Sequence, residues 1–422
     1  MGGNLPMTVR HSARRTRVLF LAENITLAQV VRLVSLARQL DASRYEVHFA
    51  CADFEPLIFR GTHFRQWPIH TVPRVDALRR VQRGERVYEE AILRRYVEDD
   101  LRLFDAVSPD IVIGDFRLSL SISAPFARVP LAVLINAYWS PNFVRKEFPL
   151  PDHPIVQWVG VERAKKYLPQ ALPFAFKHFA APVNQLRKRY GMQSIGSLLE
   201  VLTYGNYTLY PDIPELCPTQ DLPASHRYLG WIPWSPVSEL PEVVREAGKL
   251  PLIYVTLGSS GDLAVLNAIL RALSEMPVRA ILSTAGRYVP TELPENVTAV
   301  DYVPGHLVAQ RSAAVITNGG SSTGYQALAQ GTPVLGIPSN MDQYLAMSVI
   351  EGQGAGRVVR GGAADARAIQ SVLHEMLQND TYRLAASRLQ RASSAYDCHS
   401  AFSEFIGEVT KPGVASDIQT CG

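Results

Sequence analysis

The stretch from Ala314 to Gly356 constrains this chain more than any other, because its small residues and apolar runs alternate in a fixed order. Ala314–Thr317 reads as a buried strand, and Asn318–Thr323 (Asn-Gly-Gly-Ser-Ser-Thr) as a turn without a bulky side chain. Tyr325, Leu328 and Ala329 then fall at helical spacing until Gly331 and Pro333 end the helix. Val334–Ile337 is a second buried run, followed by a polar loop, Pro338–Asp342, that ends at Asp342-Gln343. A glycine-rich turn from strand to helix leaves backbone N–H groups pointing past the strand, where the helix dipole favours an anion. The pattern predicts a phosphate site. A bare Gly-Gly pair more often makes only a tight turn, so the weight rests on the spacing of the whole stretch.

That spacing resembles the C-terminal signature of family-1 glycosyltransferases, the family of the UDP-glucuronosyltransferases and the macrolide and flavonoid glycosyltransferases. Their pattern is roughly HGGxGTxxEAL followed by GxPxxxxPxxxDQ. The counterparts here are Asn318 through Thr323, then Gln326-Ala327-Leu328, Gly331, Pro333, Pro338 and Asp342-Gln343. Three departures fall on functional positions: Asn318 for His, Ser322 for Gly, and Gln326 for Glu. The resemblance implies an α/β GT-B fold, two Rossmann-like domains whose parallel sheets face each other across a cleft. The nucleotide-sugar donor then lies on the C-terminal domain and the acceptor on the N-terminal one.

Carried over by residue, the resemblance gives Gly319, Gly320, Ser321, Ser322 and Thr323 the diphosphate, with Asn318 beside them. Gly258 and Ser259 line the same anion, and Gln326 faces the ribose. Val303, in the run Asp-Tyr-Val-Pro-Gly, reads the base through its backbone, with Gly305 where the family often has Gln. Asp342 and Gln343 grip sugar hydroxyls, although an Asp at this place can also cap a helix. No metal or resident cofactor is implied, since the helix N-terminus stabilises charge as the nucleotide diphosphate leaves. In-line displacement would invert the anomeric carbon. The expected donor is a UDP- or dTDP-hexose, and the expected acceptor a small or lipid-like hydroxyl compound.

The N-terminal half opens with a strand (Arg17–Ala22), a helix (Leu27–Leu40) and a strand (Tyr45–Ala50), which argues a doubly wound parallel sheet. Two later strands end at Asp115 and Asn136, the edge where such sheets carry their sites. In the family a His opening the first helix deprotonates the acceptor, and an Asp holds it. Aligning Leu36–Leu40 with the family's first helix puts Gln29 in the place of the His and Asp115 in that of the Asp. A glutamine cannot take a proton. Three readings stay open: Asp115 acts directly, the acceptor is already ionised or assists itself, or the chain is a catalytically silent nucleotide-sugar-binding partner of another transferase. His48 lies within a strand and reads as core.

Asn136, Tyr138 and Trp139 begin the segment that covers the acceptor pocket in this family. From Tyr138 to Tyr190 aromatic and basic residues interleave, which predicts either core aromatics under solvated bases or peripheral contact with an anionic membrane. The Asp99-Asp100 pair and the basic stretch Arg74–Arg95 read as solvated helical faces.

At 422 residues the chain is too long for one ordinary core. We expect a disordered leader (1–16), an acceptor-binding domain (17–230), a proline-rich linker (231–250) and a donor-binding domain (251–380). A helix returning to the first domain (381–409) and a tail (410–422) complete the chain. A net charge of +3 is too small to imply a nucleic-acid partner. Four scattered cysteines point to free thiols in a cytoplasm. No apolar run is long enough to span a bilayer. Nothing in the sequence sets the oligomeric state.

Overall fold

A computed structural model describes residues 14–152, 154–246, 248–288 and 292–411. The first sheet contains β1 (Thr16–Ala22), β2 (Tyr45–Cys51), β3 (Arg65–Pro68), β4 (Ile111–Asp115), β5 (Leu131–Leu134), β6 (Tyr207–Tyr210) and β7 (His226–Tyr228). The second contains β8 (Leu252–Thr256), β9 (Arg279–Ser283), β10 (Val297–Val300), β11 (Ala314–Thr317), β12 (Val334–Gly336) and β13 (Gly356–Val358). Their orders are β3-β2-β1-β4-β5-β6-β7 and β10-β9-β8-β11-β12-β13, and every pairing is parallel. This is the α/β GT-B architecture.

Parallel strands covered by helices on both faces need apolar residues at every position, and β1, β4, β8 and β11 are buried along nearly their whole length. In each sheet the chain reverses its winding direction between two adjacent strands, β1 and β4 in the first and β8 and β11 in the second. The loops leaving these strands flank a crevice at their carboxyl ends, the usual ligand site of such sheets. The final helix, Cys398–Val409, buries Phe402, Phe405 and Ile406 in the core of the first sheet beside Phe20.

Several local expectations are corrected. Arg74–Arg95 is divided between two helices, Arg74–Gln82 and Glu90–Val107, because Gly84 adopts φ 66° between them. Asp100 is not solvated but fully buried, where Arg117, Ser119 and Ser123 satisfy its carboxylate. The C-terminal stretch is also broken, into Thr381–Ser393 and Cys398–Val409. Most of the expected leader, and the tail beyond Lys411, lie outside the described residues. Cys51, Cys217 and Cys398 are buried free thiols.

Candidate active site

One cavity runs between the carboxyl edges of the two sheets. Gln29, Arg32, Phe116 and Asn136 line it from the first half. Gly258, Ser259, Val303, Asn318, Gly320, Ser321, Ser322, Thr323, Gln326, Asp342 and Gln343 line it from the second. Of the residues expected on the donor side, Gly319 alone is off the wall. It shapes the turn instead, with φ 81°, and a Cβ there would meet Met347 Cγ at 2.9 Å. Asp115, Tyr138 and Trp139 stand one layer behind the surface.

On the donor side, Gly320 is the N-cap of the helix Ser321–Leu328, whose first internal bond runs from Gly324 N–H to Gly320 C=O. The N–H groups of Ser321, Ser322 and Thr323 therefore need partners from outside the helix. Asn318 fixes this turn: its Oδ1 accepts from Gly320 N–H at 3.2 Å, and its Nδ2 donates to Ser260 Oγ at 3.1 Å. The loops after β8 and β11 are thereby tied together. In the helix Met341–Gly352 the cap is Asn340, so Asp342 has no capping duty. Asp342 Oδ1 instead accepts from Trp139 Nε1 at 2.7 Å and from Tyr138 O–H at 3.2 Å, both from the opposite half.

Gln343 Oε1 is held by the N–H and hydroxyl of Ser339, while its Nε2 is buried without a partner among the described residues. A buried amide donor left unpaired costs about 1–3 kcal/mol, so a ligand oxygen in the cavity fits its place. Gln326 donates to Trp234 C=O at 2.7 Å and to Ser235 Oγ at 2.9 Å, which leaves its carbonyl as an acceptor. A Cβ on Gly305 would collide with that carbonyl oxygen, so the absence of a side chain at 305 makes room for Gln326. Trp234 and Ser235 also line the cavity, and Trp231 stacks on Tyr325 at 5.3 Å. The proline-rich segment read from sequence as a linker is thus partly a wall.

On the wall from the first half, Arg32 is the residue that sequence reasoning missed. Its Nε and Nη2 donate to the two carboxylate oxygens of Asp115 at 3.0 and 2.9 Å, and its Nη1 to Asn136 Oδ1 at 2.7 Å. Asn136 Nδ2 in turn donates to Asp212, which also accepts from Ala137 N–H and, at 2.5 Å, from Tyr325 O–H across the cleft. Burial pushes the Asp115 carboxyl up to about 6, against the pull of Arg32. Burial works against the charge on Arg32, but Asp115, helped by Tyr138 and Asp342, outweighs it and raises the guanidinium above its usual value. Gln29 is placed by its own helix, its Oε1 accepting from Ile25 and Thr26 N–H at 3.1 and 3.0 Å. The signal for Arg32 was present: an arginine within the apolar run Val30–Leu36 of a buried helix needs a buried anion.

The model of the erythromycin biosynthesis protein CIII-like C-terminal domain family matches residues 267–403. A PGL/p-HBAD biosynthesis glycosyltransferase of Mycobacterium tuberculosis is 44% identical over 382 residues, which are 90% of this chain and 89% of that protein. A PGL/p-HBAD biosynthesis rhamnosyltransferase of Mycobacterium bovis is 43% identical over 383 residues, covering 90% and 85% respectively. The solved structure of spinosyn rhamnosyltransferase SpnG complexed with thymidine diphosphate superposes with a TM-score of 0.66 at 18% identity. That match covers 93% of this chain and all of the other.

Proposed function

Because the chain belongs to the macrolide-type family-1 GT-B glycosyltransferases, we propose that it moves a hexose or deoxyhexose from a UDP- or dTDP-sugar to a hydroxyl group of a small or lipid-like acceptor, with inversion and without a metal. Residues 251–380 take the donor and 17–230 the acceptor. The observation that carries this reading is the cavity's pairing of two walls. One offers the N–H groups of Ser321–Thr323 and the unpartnered Gln343 amide, and the other Arg32, with Asp115 paired to it from behind. The PGL/p-HBAD names of the relatives support an acceptor from the same biosynthesis, and one relative's rhamnosyltransferase name supports a deoxyhexose.

Donor and acceptor chemistry divide between the walls. The Ser321–Thr323 N–H groups and the helix dipole neutralise charge gathering on the departing diphosphate. Asp342 and Gln343 hold sugar hydroxyls. The acceptor hydroxyl approaches Arg32, its proton passes to Asp115, and the guanidinium shifts from the carboxylate to the new oxyanion as that oxygen attacks the anomeric carbon. The O–H bond and the bond from the anomeric carbon to the diphosphate break, and one C–O bond forms. Charge is conserved at the pair, since Asp115 becomes neutral as the acceptor becomes an anion beside Arg32. A carboxyl near 6 is a better matched base than an ordinary aspartate.

The test is product mass spectrometry with a panel of nucleotide sugars and extracts containing candidate acceptors. Transfer with a pyrimidine nucleotide sugar only when acceptor is present is the expected result. Donor conversion without acceptor, or no turnover with any pairing, would overturn it.

A further inference from the structure

The structure sorts the aromatic-basic segment into two faces. Trp139, Phe148 and Phe176 point inward and pack on one another, Trp139–Phe176 at 6.4 Å and Phe148–Phe176 at 5.1 Å. Trp158, Tyr167 and Phe174 point outward and are 87%, 59% and 74% exposed. On the helix Val161–Arg189, the exposed residues Arg163, Lys166, Tyr167, Gln170, Phe174 and Lys177 follow the spacing of three and four that makes a single stripe. The stripe is about 21 Å long at 1.5 Å per residue. Two aromatic rings are interleaved with cations along it, and Trp158 precedes it. The exposed Glu162 does not reverse the sign, because Lys165 pairs with it at 3.1 Å.

We propose that this stripe docks the enzyme on an anionic phospholipid surface. Long apolar side chains left in water on one face, alternating with lysine and arginine, match the chemistry of an interfacial helix. The aromatic rings enter the headgroup–acyl boundary, and the cations pair with lipid phosphates. Depth is limited by the helix itself. Pro169 and Pro173 lack N–H groups, so the carbonyls of Lys165 and Pro169 have no helical partner and must stay hydrated. The helix therefore lies in the headgroup layer, and no described helix is long and apolar enough to cross a bilayer. Its opposite face carries Phe176 against Trp139, whose indole reaches Asp342. Docking by this face sets the acceptor half of the enzyme close to the bilayer.

Vesicle binding reads this surface independently of glycosyl transfer. The full chain is sedimented with vesicles of neutral phosphatidylcholine and with vesicles containing phosphatidylglycerol, at low and at high salt. Binding is expected only to the anionic vesicles and to weaken with salt, as surface charges act within a Debye length of about 8 Å. Each basic residue at an anionic surface is worth about fivefold in partitioning, so Lys166→Gln with Lys177→Gln should lower it about 25-fold. The triple variant Trp158→Ser, Tyr167→Ser, Phe174→Ser should lose binding while keeping its rate on a water-soluble acceptor. Equal recovery on neutral and anionic vesicles, or unchanged binding by the triple variant, overturns the proposal. So does light scattering that finds a dimer which the triple variant converts to monomer, since the stripe would then be a self-interface.

Discussion

Replacing Asp115 with asparagine separates its observed pairing with Arg32 from the part of base proposed for it. The substitution keeps the shape and removes the charge, so Arg32 is left in the interior with only neutral acceptors, the new amide and Asn136. Breaking a buried ion pair by neutralising one partner costs about 3–5 kcal/mol. For a half of this size that is a fall in melting temperature of roughly 6–20 °C. If Asp115 also takes the acceptor's proton, transfer falls by about 10²–10⁴. Wild-type kcat/KM should rise with pH through about 6, because the base must be ionised to work, and Asp115→Asn should lose that limb. The assay is initial rate against pH at a temperature where melts show both proteins folded. A folded Asp115→Asn enzyme at near wild-type rate would refute the role of base. Loss of rate in Arg32→Lys with the acid limb intact would separate the guanidinium's part from the carboxylate's. Gain of rate in Gln29→His would show that the first helix can present a base to the acceptor from this position.

Asp342→Ala should slow transfer ten- to a hundredfold, the worth of a charge-assisted bond of about 1.5–3 kcal/mol. Nucleoside diphosphate affinity, read by calorimetry, should be nearly unchanged; wild-type turnover would remove Asp342 from the sugar site. That affinity should also survive a chelator, since backbone N–H groups at Ser321–Thr323 are assigned the diphosphate, and loss on chelation would sink the metal-free account. Glu23 is buried, its Oε2 3.8 Å from Arg117 Nη1 but without a hydrogen bond among the described residues, and burial lifts it from 4.5 to about 7 against the pull of Arg117. The folded state thus holds a proton that the unfolded chain releases, so stability is lost as pH rises from 4.5 to 7. Glu23→Gln should flatten this slope and stabilise the protein at pH 8 by on the order of 3 kcal/mol, and a lower melting temperature there would contradict it.

What could be read from sequence divides along a physical line. The donor-side turn was legible because Asn318–Thr323 and Asp342-Gln343 fall in one continuous stretch whose spacing carries the family resemblance, although their side-chain partners Ser260, Trp139 and Tyr138 come from elsewhere in the chain. β1, β4, β8 and β11 were legible because strands buried on both faces are continuous apolar runs. The short edge strands β3 and β7 were not, as half-exposed runs such as Arg65–Pro68 carry little pattern. The opposite wall was legible only in part: Gln29, Asp115 and Asn136 could be named, but not the pairs they make far along the chain. Arg32 meets Asp115 and Asn136, and Asp212 meets Tyr325, through a sheet order that no local signal encodes. Asp100 was misjudged for the same reason: its partner Arg117 comes from beyond β4.

The grip of Trp139 and Tyr138 on Asp342 has a thermodynamic corollary. One carboxylate joins the two halves and is also assigned to the sugar, so a sugar hydroxyl reaching Oδ1 competes with an indole N–H and a phenol O–H. Whatever weakens that competition strengthens the donor by the same free energy. Trp139 belongs to the acceptor half, yet its replacement by phenylalanine should be felt first as tighter binding of the nucleotide sugar.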